Sequence, residues 1–235
     1  VLESIGLSRE LEFNGISLTV HQGELLGIYG LMGAGRSEYL NCMYGLTRPD
    51  SGQVRLKGRA LPVGRPRKAI QAGLSLVTED RKETGLVLSA SVRDNISFSA
   101  YNRLSRLSLI NRRKVKALVD TMVDRMRIKT SSVSLPVSSM SGGNQQKVVL
   151  ARCLSTEPTC LLCDEPTRGI DEGAKREVYK LLDDFVSKGG AAMVVSSEAQ
   201  EILDVSDRIA IFKSGQLVTV IDGHHYAILV DALED

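Results

Sequence analysis

The 235-residue chain predicts an α/β fold: a sheet with crossover helices, interrupted by an inserted helical block. Three observations carry this. Short apolar runs alternate with helical segments over most of the length, as parallel strands joined by helices require. A glycine-rich turn, Gly30-Leu-Met-Gly33-Ala-Gly35, stands between one such run and the helix after it. From about Ala90 to Met140 the texture turns helical, with Arg103, Arg106, Arg112, Arg113, Lys114 and Lys116 on a solvated basic face. At about 150 residues per domain the length allows one or two domains, and such a chain buries about 70% of its unfolded surface.

Gly15–Val20 and Glu24–Tyr29 read as strands, the second short, apolar and ended by the glycine turn. Beyond Gly35, the residues Tyr39, Leu40, Met43 and Tyr44 recur at helical spacing, and Gly45 sits where a helix ends. Pro49–Gly52 is a turn, Gln53–Leu56 a strand, 66–72 a short helix and Leu74–Thr78 a strand. After the helical block come a helix from Ser141 to Leu154, a strand Cys160–Cys163, a helix Gly173–Lys188, a strand Ala191–Ser196 and a helix Ala199–Val205. Strand-like Arg208–Phe212 and Leu217–Ile221 flank a Lys213-Ser-Gly215 turn.

Composition narrows the function. With 43% hydrophobic and 25% charged residues the chain is ordinary globular protein, which excludes disordered, collagen-like and disulfide-scaffold classes. A net charge of +2, from 30 basic and 28 acidic residues, gives no electrostatic case for nucleic acid or an anionic membrane. No window approaches about 18 consecutive apolar residues, so no membrane-spanning helix is expected. Val1-Leu2-Glu3 carries neither an initiator Met nor a basic, then apolar leader, so the expectation is a piece cut or processed from a longer protein. Cys160 and Cys163 have CxxC spacing, but residues three apart on a strand face opposite sides. With Cys42 and Cys153 they read as core cysteines of a cytosolic protein.

Three motifs carry chemistry. The turn continues into Arg36-Ser37-Glu38, and a glycine turn between strand and helix is the context of a phosphate-binding P-loop. Over Gly30, Leu31, Met32, Gly33, Ala34, Gly35, Arg36, Ser37 and Glu38, backbone N–H groups and the positive helix end would face phosphate, with the Ser37 hydroxyl on Mg²⁺. Arg36 stands where lysine is expected, and its planar fork does not replace a compact ammonium. The second motif is an apolar strand ending in Asp164-Glu165. Asp164 would hold Mg²⁺, and Glu165 would orient or deprotonate an attacking water. The third is Ser141-Gly142-Gly143-Asn144-Gln145, an N-capped helix start that could close on a phosphate held by a second chain packed head to tail.

Together these resemble the ATP-binding-cassette (ABC) ATPases over essentially the whole chain. Ser141–Gln145 resembles the signature motif, Asp164-Glu-Pro-Thr167 the Walker B segment, and Arg168-Gly-Ile-Asp171 the D-loop with Asp171 as its acid. With Glu79-Asp-Arg-Lys82, the glycine turn is similar to that in the second cassette of simple-sugar importer ATPases. The resemblance implies a P-loop NTPase with a mixed sheet core, an N-terminal antiparallel β part and an inserted helical subdomain. Its boundaries would be a RecA-like core at about 1–88 and 141–235 with the helical subdomain at about 89–140. It implies ATP and Mg²⁺ as ligands. As partners it implies a second cassette, fused N-terminally and packed head to tail, transmembrane permease subunits and, indirectly, a periplasmic sugar-binding protein, but no nucleic acid. The location implied is peripheral, on the cytoplasmic face of a bacterial inner membrane.

Several positions depart from the family pattern. Glu79 takes the place of the Q-loop glutamine, a metal and water contact, and Ser197 that of the switch histidine, so the catalytic set is Glu165, Ser197 and Glu79. Phe13 is the one aromatic near the adenine position and reads as core. Thr84–Leu88 would face the membrane subunits. The leading expectation is ATP hydrolysis powering monosaccharide import. The alternative is a degenerate nucleotide-binding regulatory half whose partner cassette does most of the hydrolysis. A soluble ABC ATPase of DNA repair or translation fits neither the near-neutral charge nor the lack of a long coiled coil.

Overall fold

A computed structural model describes residues 1–106 and 109–222. The chain divides into two compact units. Among the described residues the first comprises Val1–Leu76, Thr159–Glu165 and 182–222; the second comprises Val77–Pro158 and Pro166–Leu181. The stretch 89–140 lies inside the second unit.

The first unit opens with β1 (Leu2–Arg9) and β2 (Phe13–Val20), followed by β3 (Leu25–Gly30), α1 (Arg36–Tyr44), β4 (Ser51–Leu56), β5 (Arg59–Ala60) and α2 (Pro66–Ala72). β2, β1, β4 and β5 form an antiparallel sheet in that order. β1 is absent from the sequence reading for a physical reason. Its pairing with β2 shifts register between Ser4 and Leu7, so Leu2 and Leu7 are both buried although five residues apart, and period-two alternation is lost.

The larger sheet has the order β12-β11-β3-β10-β9-β6, adding β6 (Leu74–Val77), β9 (Cys160–Asp164), β10 (Ala191–Val195), β11 (Arg208–Lys213) and β12 (Gln216–Asp222). β3 lies between β10 and β11, parallel to both, and β9 is parallel to β10, while β12 runs antiparallel to β11. Every residue of β3, β9 and β10 is buried, which is why these strands read as continuous apolar runs rather than alternating ones. Tyr39 of α1 locks helix to sheets. Its ring meets Phe13 edge-on at 5.7 Å and Phe212 at 5.4 Å, and its hydroxyl is 2.7 Å from Ser4 Oγ. This clamp sets the start of α1, and hence the glycine turn, at the end of β3.

The second unit is less uniformly helical than its sequence suggests. Between α3 (Val92–Ser97), the one-turn α4 (Tyr101–Leu104) and α5 (Arg112–Arg125) lies a short hairpin, β7 (Ser105–Arg106) with β8 (Leu109–Ile110). After Met126 the chain leaves helix for most of the way to Met140, as Arg127 adopts a φ of 49° and a serine-rich stretch runs to Pro136. Arg112, Arg113, Lys114 and Lys116 are exposed on α5 as expected. Arg103 instead pairs with Glu157 and donates to the Ser155 carbonyl at 2.9 Å. α6 (Gly142–Leu154) follows, capped by Ser141, and α7 (Glu172–Val186) spans the boundary between the units. In the first unit, α8 (Ala199–Val205) follows β10.

Candidate nucleotide site

In the first unit β3 ends at Gly30, and the chain turns through Leu31–Gly35 into α1. The turn is built for backbone rather than side chains. Leu31 and Met32 are 62% and 96% exposed, and Gly33 and Gly35 hold φ of 79° and 84°. A Cβ on Gly30 would lie 2.3 Å from the Phe212 carbonyl oxygen, and one on Gly35 2.5 Å from that of Glu12. Ala34 is buried and accepts from Gly215 N at 3.2 Å, which holds the turn against the Lys213–Gly215 corner. α1 begins at Gly35 with no side-chain cap, whereas Ser91, Asn111 and Ser141 cap α3, α5 and α6. Its orphan N–H groups are therefore open to an external anion. A cavity of about 760 Å³ lies beside the turn, with Arg9, Leu11, Phe13, Asn14, Gly33 and Gly215 among its lining. Phe13 is 3% exposed and packs on Tyr39, so it serves the core.

Ser37, the second residue of α1, donates its hydroxyl to Asp164 Oδ1 at 3.0 Å. Asp164 closes β9 and is 3% exposed; burial pushes its carboxyl up to about 6, against the pull of the Ser37 hydrogen bond. Two hard oxygen donors this close, one of them a buried carboxyl, suit Mg²⁺. That ion takes one or two protein oxygens and completes its shell with phosphate and water. Among the described residues no group of three or more His, Cys, Asp or Glu could form an all-protein cage. Glu38 is exposed, and its charge also raises Asp164.

Glu165 follows at a φ of 45°, with its N–H bonded to the Val195 carbonyl at 3.0 Å. Burial raises its carboxyl, while a hydrogen bond with Ser197 and the charge of Arg36 pull it down. Ser197 is exposed. Arg36 is where the structure departs most from expectation. It is 8% exposed, donates through Nη1 to the Ser196 carbonyl at 2.8 Å, and holds Nη2 3.9 Å from Glu165 Oε1. Its fork is committed to the ends of β9 and β10 rather than offered to phosphate, because a buried guanidinium seeks carbonyl and carboxylate partners. Ser196 is the residue that sequence reasoning missed here, since a backbone acceptor leaves no motif.

The remaining expected residues belong to the second unit. Ser141 caps α6, taking Asn144 Nδ2 at 3.0 Å, with Gly142 and Gly143 as the first helical residues. Gln145 is buried and donates to the carbonyls of Val137 and Met140, both at 3.3 Å, bracing the loop before α6. The Glu79 carboxylate is ion-paired with Arg168. Asp171 accepts from Ala174 N at 3.0 Å at the start of α7. Thr84–Leu88 is mixed: Leu86 is buried, Val87 is exposed, and Arg81–Gly85 is one wide helical turn capped by Asp80. No helix among the described residues is long and apolar enough to cross a membrane.

A mixed sheet, a glycine turn opening a helix and an Asp-Glu pair beside it are the framework of a nucleotide-binding domain. The family model for ABC transporters matches residues 13–168, and the chain belongs to that family. It is 44% identical over 217 residues to the ribose import ATP-binding protein RbsA of Oceanobacillus iheyensis, covering 92% of this chain and 44% of that protein. It is 43% identical over 218 residues to the arabinose import ATP-binding protein AraG of Azospirillum brasilense, covering 92% and 42%. The chain thus spans less than half the length of these relatives. Its fold matches a nucleotide-free ATP-binding cassette of an ABC transporter with a TM-score of 0.84 at 18% identity, covering 99% of this chain and 95% of that one. It also matches a dimeric cassette in a post-hydrolysis state bound to ADP and Pi with a TM-score of 0.82 at 18% identity, covering 96% and 100%.

Proposed function

We propose that the chain binds Mg-ATP and hydrolyses it to drive import of a monosaccharide of the ribose or arabinose class. The observation that carries this reading is the Ser37–Asp164 bond, with Glu165 next in sequence and the uncapped start of α1 above it. The β- and γ-phosphates would lie on the N–H groups of the glycine turn. Ser37 and Asp164 would hold Mg²⁺, whose charge offsets that of the phosphates. Glu165, whose carboxyl Ser197 and Arg36 pull down against the effect of burial, would accept a proton from the attacking water as it adds to the γ-phosphorus and ADP leaves.

In this reading Ser141 and its glycines complete the site of a second cassette packed head to tail, and Asp171 lies near that contact. Permease subunits in the inner membrane would receive the work, with a periplasmic sugar-binding protein delivering the cargo. The similarity to the ribose and arabinose import proteins supports this. The regulatory alternative draws no support from those relatives.

The reading is tested on the full-length protein with its permease in proteoliposomes. Labelled ribose and arabinose should accumulate only with Mg-ATP inside the accessible compartment, and Glu165→Gln should abolish accumulation. Uptake without ATP, or uptake of neither sugar class, would overturn it.

A further inference from the structure

Arg81 opens the turn Arg81–Gly85, but its guanidinium leaves that turn for another loop. Nη1 donates to the Arg168 carbonyl at 2.8 Å and Nη2 to the Gly169 carbonyl at 3.2 Å, while Nε is buried without a hydrogen-bond partner. Beside it the Glu79 carboxylate pairs with the Arg168 side chain, so two residues of one segment grip two of the other. A third segment meets them. A Cβ on Gly142, the first residue of α6, would lie 2.9 Å from Arg81 Nη2 and 3.4 Å from the Gly169 carbonyl oxygen. Gly169, at a φ of 68°, turns its carbonyl to the fork in a conformation other residues adopt only under strain. Two successive carbonyls suit a planar guanidinium, whereas an ammonium is a single point donor group.

We propose that Arg81 is a positioning residue for hydrolysis, holding the loop that follows Glu165 against the start of α6. The proposal rests on the ATPase reading above. Glu165 sits in left-handed backbone, and a strained residue persists only where both flanks are held. Upstream the β9 ladder holds it, and its own N–H is bonded to Val195. Downstream the chain enters 166–171, and Arg81 ties that loop at Arg168 and Gly169. Loss of Arg81 frees the loop without touching the glycine turn, so turnover suffers and nucleotide binding does not.

The test measures Mg-ATP turnover, and hydrogen exchange without nucleotide, on the full-length protein and its Arg81→Ala, Arg81→Lys and Gly142→Ala variants. In Arg81→Ala, kcat should fall about ten- to a hundredfold, the range for a displaced catalytic group. KM for Mg-ATP should stay within about twofold, since ground-state binding is untouched. Arg81→Lys should recover only part of kcat. Amides of 167–172 should exchange faster while those of the β9 strand stay protected. Should Arg81→Ala fail to fold, Gly142→Ala keeps Arg81 but crowds Nη2, and should speed the same amides. Unchanged exchange at 167–172 would overturn the contact; faster exchange with wild-type kcat, or KM rising in step with the loss of kcat, would overturn the positioning role. A wild-type protein without turnover would instead overturn the ATPase reading, leaving exchange to decide the tether.

Discussion

Arg36 Nη1 donates to the Ser196 carbonyl at 2.8 Å, tying the first residue of α1 to the chain just beyond β10. The same guanidinium lies 3.9 Å from Glu165, so one side chain braces the candidate base and the turn that would hold its substrate. Arg36→Met would leave the carbonyl without its donor in a buried setting. The expected cost is about 1–3 kcal/mol, read as a lower urea midpoint with unchanged slope. A midpoint equal to wild type would show that the bond carries no stability.

Gly35→Ala addresses the turn itself. The left-handed backbone alone costs an L-residue about 1–2 kcal/mol, and the new methyl would meet the Glu12 carbonyl oxygen at 2.5 Å. Binding of a fluorescent ATP analogue should be lost while circular dichroism stays close to wild type. Wild-type affinity in this variant would mean that the turn does not contact the nucleotide.

How much of this was legible in the sequence depends on chain distance. Ser37, Asp164 and Glu165 declare themselves because strand, turn and helix set their placement locally. The core role of Phe13 was legible in its strand position. The destination of Arg36 was not, because Ser196 is 160 residues away and contributes only a backbone oxygen. Gln145 and Glu79 read as ligand contacts by resemblance, yet Gln145 turns inward to two carbonyls and Glu79 meets Arg168, 89 residues away. β1 escaped because its register shift breaks the alternation that marks a strand.

Lys147 and Glu177 make a pH-dependent contribution. Lys147 is almost fully buried on α6 and its Nζ lies 2.5 Å from Glu177 Oε2, a hydrogen bond that holds the Glu177 carboxyl below its ordinary value of 4.5. A carboxyl lowered on folding stabilises the fold above its unfolded value, and the gain disappears as pH falls through the folded value. Stability should therefore decline below about pH 4.5, and Glu177→Gln should flatten part of that decline. Parallel acid limbs in the two proteins would refute the pairing.

The four cysteines, Cys42, Cys153, Cys160 and Cys163, are buried and form no disulfide. Burial raises the thiols of Cys42 and Cys153 and pushes Cys160 up to about 12. Raising a thiol lowers its share of thiolate, the reactive form, and burial blocks access of a reagent. A thiol reagent at pH 8 should label none of them in the native protein and all four after denaturation. Rapid native labelling would show that β9 or the end of α6 opens readily.

Hydrolysis at Glu165 is the centre of the account, and it is tested most directly by phosphate release from Mg-ATP by the full-length protein, compared with its Glu165→Gln variant in this cassette. Turnover in the wild type, with a fall of about a hundredfold or more in the variant and undiminished ATP binding, is the predicted result. Equal rates in the two proteins would contradict it, and would place the chemistry elsewhere than at the end of β9.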